Sequence, residues 1–169
     1  MWIVRHAFAI AVLPVTAAIL VPLWLSRRYG ATFHAPAGIC SLLSVILGAL
    51  LMLAGLALFV ATVFLFATEG HGTLAPWDPP ARLVLRGPYR FVRNPMISGV
   101  LFIIAGESLV VRSLALAGWA GLFLLINAIW LPLIEEPQLE RRFGADYREY
   151  MSNVRRFVPR LRAWSAGSS

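Results

Sequence analysis

Arg86, Arg90, Arg93 and Asn94 fall within eleven residues, RGPYRFVRNPM (86–96), at the start of an apolar stretch that runs from Ile97 to Val111. Guanidinium groups bind carboxylates and phosphates through charge-assisted, often bidentate hydrogen bonds. Asn94-Pro95 is a helix start, since Asn favours the N-cap and Pro the first helical position. The free N–H groups and positive dipole end of that helix would then face Arg90 and Arg93, which makes an anion site. The same residues also suit a capped helix whose interfacial arginines hold lipid phosphates. A second chemical group is the pair Glu135-Glu136, at the end of another apolar run. Two carboxylates at a helix C-terminus are unfavourable without a cation, whereas in the first turn of a helix opened by Pro137 they are well placed. As a pair they suit a cationic or hydroxyl-bearing ligand. A third is Gly70-His71-Gly72, where backbone can approach a ligand closely or where glycine simply ends a helix. His71 is either a loop histidine or a base. Pro76, Pro79 and Pro80 stiffen the loop that follows, and Trp77 gives it an aromatic plate or interface anchor.

The elements that must position these groups are apolar. The 169 residues are 59% hydrophobic and 14% charged, with a mean hydropathy of +0.75, where a soluble domain carries about 25% charged residues. Four runs are long enough to matter: Ala7 to Leu25, Ile39 to Ala67, Pro95 to Val111 and Leu114 to Ile134. A bilayer core of about 30 Å needs about 20 residues of helix. The first and fourth runs fit, the second would reach roughly 43 Å and must tilt or project, and the third is short. The pattern predicts an all-α integral membrane protein of about four transmembrane helices and a single domain over 1–169. Two N-terminal spans occupy 1–67, and a loop, two spans and a C-terminal helix occupy 68–169. The first run exceeds a signal-peptide core, so it reads as a retained helix that bends at Pro14 or Pro22.

The net charge of +7 comes from fifteen arginines and no lysine. Twelve of them lie on the side that would hold both termini and the 68–94 loop, against Arg27, Arg28 and Arg112 opposite. The positive-inside rule places that side in the cytoplasm of an inner or plasma membrane, although the Arg27-Arg28 pair argues the other way locally. In the tail, Leu139, Phe143, Tyr147, Met151 and Val154 recur at three- and four-residue spacing, interrupted at Gly144. They predict an amphipathic cytoplasmic helix, laid on the anionic leaflet or folded over the loop. Within the spans, Glu107 is within reach of Arg112 for an ion pair, and Asn127 could link helices. Cys40 alone forms no disulfide, and His6, His34 and His71 show no metal-ligand spacing.

The stretches GHG (70–72), LVLRGPYRFVRNPMISG (83–99) and EEPQLERRFGADYREYMSNVRRFVP (135–159), in this order and spacing, resemble the isoprenylcysteine carboxyl methyltransferase and phospholipid methyltransferase superfamily of membrane enzymes. The resemblance covers most of the C-terminal hundred residues. It implies methyl transfer from S-adenosylmethionine at the cytoplasmic membrane face. By the family's pattern Gly70, His71, Gly72, Glu135 and Glu136 would bind the cofactor. Gly87, Tyr89, Arg93, Asn94, Pro95, Met96 and Ile97 would line its pocket, and Arg82, Leu83 and Val84 would run along it. Asn94 stands where the family usually has histidine, and Ile97 where tyrosine is common.

The chemistry of the residues is compatible with that implication. The arginine-flanked helix start suits the cofactor's carboxylate, and Glu135 or Glu136 its amine or hydroxyls. Methyl transfer depends chiefly on positioning. It requires no metal, and a base such as Glu135 only if the acceptor arrives protonated. Glu135, Arg93 and Asn94 are therefore the candidate catalytic residues. The acceptor would be a lipid or hydrophobic small molecule, with a carboxylate, amine or similar group, reaching the site laterally from the bilayer between the third and fourth helices. No nucleic-acid partner is expected. Two alternatives stay open: a nicotinamide-dependent reductase of the sterol-reductase kind, and a non-catalytic protein that binds anionic lipid.

Overall fold

The computed structural model describes residues 11–65, 68 and 83–165. Every regular element among them is helical. The first begins as π-helix over Ala11–Leu20, which contains Pro14, and continues as α1, Val21–Tyr29. Pro22 stands in its first turn, and it ends on Gly30 in the left-handed conformation, with Arg27 and Arg28 complementing the negative end of its dipole. α2 (Ile39–Leu65), α3 (Pro95–Val111) and α4 (Leu114–Trp130) follow. A π-turn, Leu131–Glu135, joins α4 without a break to α5, Glu136–Asn153.

Among the described residues, two helices are long and apolar enough to cross a membrane: α2, and the continuous helix from Leu114 to Asn153. α3 is apolar but only 17 residues long. The outer faces of α2 and α4 expose rows of Leu, Ile and Phe, as a lipid solvent permits.

α2 and α3 pack antiparallel along a glycine seam. A Cβ on Gly48 would lie 2.6 Å from the Gly106 carbonyl oxygen, and one on Gly55 would lie 2.5 Å from that of Gly99. Seven residues separate the glycines on each helix, so two backbone contacts recur at the same register. In lipid, where apolar side chains gain little by meeting each other, such close approach is what van der Waals packing uses. Ser44 Oγ ties the seam further by donating to the Leu109 carbonyl at 2.9 Å. α4 packs on α3 through Ile104, Val100 and Ala120, and Trp119 Nε1 donates to the Ala17 carbonyl at 2.9 Å, fastening the first helix.

Two expected polar contacts are replaced. Arg112 does not meet Glu107; it caps α3 with φ 54° and donates from Nη2 to the His34 carbonyl at 2.9 Å. Asn127 does not bridge helices, because its Nδ2 donates to the Phe123 carbonyl of its own helix at 2.8 Å.

Candidate functional site

The site forms where three segments meet at one end of the helices. The first is the lip, residues 86–94. Gly87 opens a short 3-10 turn, Gly87–Arg90, with φ +55°, and a Cβ there would fall 2.8 Å from Leu65 Cδ1. The positive φ calls for glycine, and the contact with Leu65 seats the lip against the end of α2. Asn94 then stands at the N-cap position of α3, and its carbonyl accepts from the Ser98 N–H at 3.0 Å. The expected side-chain cap is absent. Asn94 Nδ2 instead points to the Arg156 carbonyl at 3.5 Å.

The second segment carries the carboxylates. The helix neither stops at Glu135 nor restarts at Pro137, the two arrangements that the sequence left open. Pro132 lies in the π-turn, which accommodates a residue with no N–H to donate, and the chain stays helical through it. The penalty of two acids is met by arginine. Arg156 forks onto Glu136, with Nε to Oε1 at 2.8 Å and Nη2 to Oε2 at 2.7 Å. Arg93 Nη1 lies 3.3 Å from the same Oε1. The hydrogen bonds that it donates to Glu136 hold the Arg156 guanidinium above its usual pKa.

Glu135, the first residue beyond the apolar run, has no arginine partner among the described residues. Burial, reinforced by the Glu136 charge, raises its carboxyl to about 7. Its charge also reaches Tyr89 and Tyr147, whose hydroxyls are pushed up chiefly by burial. Arg93, with a side chain only 11% exposed, keeps Nε and Nη1 without a hydrogen-bond acceptor among the described residues. Among the described residues, a half-buried carboxylate without an arginine partner and a guanidinium with unspent donors thus share one site.

The third segment follows α5. Gly144, with φ +56° and ψ −125°, breaks that helix where the amphipathic pattern was interrupted, and Val154 leaves it in extended conformation. Tyr147, Tyr150, Val154 and Trp164 form a buried cluster with Leu83, Leu85, Leu139 and Phe143. The α5 face is therefore folded over the loop. Residues 155–164 then run back along the lip as a strap. Arg93 N–H donates to the Arg155 carbonyl at 2.9 Å, Arg160 N–H to Phe91 at 2.9 Å and Trp164 N–H to Arg90 at 3.0 Å. Arg90 Nε returns a bond to the Trp164 carbonyl at 2.7 Å, and the Tyr150 hydroxyl donates to the Tyr89 carbonyl at 2.7 Å.

Of the residues singled out from the sequence, Tyr89, Arg93, Asn94, Glu135 and Glu136 come together here. Pro95 is buried, and Met96 and Ile97 are half-buried in the first turn of α3. Leu83 packs on the tyrosine cluster, and Val84 is buried, so these two side chains are committed to packing. Gly70, His71, Gly72 and Arg82 lie outside the described residues. Arg156, Tyr147 and Tyr150 are the site residues that sequence reasoning missed as such. The i, i+3 tyrosine pair was a signal; Arg156, in a run of basic residues, offered none.

The family described as phospholipid methyltransferase matches residues 43–146. That range takes in most of α2, the lip, α3, α4 and both glutamates, and leaves the strap outside it. No curated protein and no solved structure matches the chain. The match covers more than half of the sequence and contains the carboxylates and all of the lip, so the chain belongs to the phospholipid methyltransferase family.

Proposed function

We propose that this protein transfers a methyl group from S-adenosylmethionine to a lipid or hydrophobic acceptor at the membrane surface, with Arg93 and Glu135 holding the cofactor's amino-acid end. The observation that carries the reading is a juxtaposition among the described residues: Arg93 Nε and Nη1 without hydrogen-bond acceptors, and Glu135, half-buried, without an arginine partner. A zwitterionic carboxylate and ammonium would satisfy both. Burying either charge alone is costly, which favours a ligand that supplies both partners. The fit extends to Tyr89, whose hydroxyl shares the field of Glu135.

When bound, S-adenosylmethionine supplies a methyl group on a cationic sulfur, open to attack from the side opposite the sulfur. The chain's own residues then orient rather than react. Arg93 and the N-terminus of α3 take the carboxylate, Glu135 takes the ammonium, and the Tyr147–Trp164 cluster closes water away from one side of the site. Gly70, His71, Gly72 and Arg82, which lie outside the described residues, would complete the proposed cofactor contacts. The membrane side of α3 and α4 would admit the acceptor, and the termini would be cytoplasmic.

Calorimetric titration of the detergent-purified protein with S-adenosylmethionine, S-adenosylhomocysteine and NADPH tests the proposal. Saturable binding of the first two and not of the third is expected. Binding of NADPH alone, or of none in folded protein, would overturn it.

A further inference from the structure

Glu136 differs from Glu135 in being held by two arginines. Both of its oxygens are engaged: Oε1 by Arg156 Nε at 2.8 Å and Arg93 Nη1 at 3.3 Å, and Oε2 by Arg156 Nη2 at 2.7 Å. The strap also holds the backbone here, since the Arg93 N–H donates to the Arg155 carbonyl and the neighbouring Asn94 side chain reaches the Arg156 carbonyl. The strap that carries Arg155 and Arg156 lies beyond the family-matched residues.

We infer that Arg156 and Glu136 are positioning residues, and that the C-terminal strap is a working part of the site: the Arg156–Glu136 fork fixes the guanidinium of Arg93 so that its unspent N–H groups face the ligand's carboxylate. This rests on the methyl-donor reading above. The geometry supplies the reason. Arg93 meets Glu136 through one nitrogen, off hydrogen-bond geometry, so its orientation depends on where that carboxylate sits. A planar fork holds a carboxylate in one orientation, which a lysine cannot reproduce. Without Arg156, Glu136 would be released to rotate onto Arg93 and consume the donors that the ligand needs.

The role predicts a chemical selectivity that a merely structural strap lacks. S-Adenosylhomocysteine and 5′-methylthioadenosine share the adenosine and the sulfur, but only the first has the amino-acid carboxylate. Affinities of both are measured by calorimetry on the full-length protein in nanodiscs, for the unmodified chain, Arg156→Gln and Arg156→Lys. The unmodified chain should favour S-adenosylhomocysteine. Arg156→Gln should weaken S-adenosylhomocysteine binding by about tenfold or more, the scale of a charge-assisted hydrogen bond. It should leave 5′-methylthioadenosine binding unchanged. Arg156→Lys, which keeps the charge and loses the fork, should retain the fold and still lose most of the preference. An equal fall for both ligands, or no change in the preference in the lysine variant, overturns the positioning role while leaving the methyl-donor reading intact. An unmodified chain that binds neither ligand removes the methyl-donor reading itself.

Discussion

If Glu135 holds the ammonium of the cofactor, binding must be linked to its proton. Its carboxyl titrates near 7 in the unliganded protein, raised by burial and by Glu136. A bound ammonium would favour the ionised form, so binding expels the proton wherever the free site carries one. With a pKa of about 7, roughly 1% of sites are ionised at pH 5 and about 75% at pH 7.5. If only the ionised form binds, affinity falls by roughly 70- to 80-fold between those values, with a slope of about one decade per pH unit below pH 6. The range stops at 7.5 because the ligand's own amino group titrates at about 8. Titration of S-adenosylhomocysteine by calorimetry at half-unit steps, in pairs of buffers with different ionisation enthalpies, gives both the affinity and the protons released. About 0.9 proton should leave per site at pH 6. Glu135→Gln should bind weakly at every pH and release none. The unliganded protein carries the opposite signature. Because the folded pKa exceeds the unfolded one, the folded state holds a proton that the unfolded chain has lost, so stability falls as pH rises from about 4.5 to 7. A flat affinity profile in the unmodified protein, or an undiminished slope in Glu135→Gln, would refute the assignment of Glu135.

Three structural predictions accompany it. Gly55→Ala forces a methyl to within 2.5 Å of a backbone oxygen across the α2–α3 seam and should cost about 1–3 kcal/mol; Gly118→Ala, with nothing within 4 Å, should leave the melting temperature in detergent unchanged. Gly144→Ala also has open space around the new Cβ, yet its φ of +56° with ψ −125° should cost about 1–3 kcal/mol through the backbone alone, read as a lower melting temperature. Tyr150→Phe removes the donor to the Tyr89 carbonyl and should destabilise by about 1 kcal/mol, with increased hydrogen exchange across residues 86–94 as the more specific readout.

What was legible in the sequence follows from how local each feature is. Pro95 as the first residue of a helix and the break at Gly144 depend on residues next to one another, and the structure places both as expected. The seam was legible in principle, since Gly48, Gly55, Gly99 and Gly106 repeat at seven-residue spacing on both helices. In runs so rich in small and apolar residues, though, such a spacing has no contrast until the two helices are paired. The carboxylates divided along the same line. That two adjacent acids need cations was an argument from charge alone. Which acid receives them depends on a residue twenty positions later, a separation with no helical period. Arg155 and Arg156 are identical in type and adjacent, but only Arg156 turns inward. That choice is made after Val154 ends α5 with φ −119° and ψ 124°, where Arg155 stays exposed and Arg156 is half-buried against Glu136. The strap itself is held to the lip by main-chain bonds, which any sequence can make. Its attachment therefore left no mark on composition or spacing, and an arginine that reads as part of a solvated basic tail holds a buried glutamate.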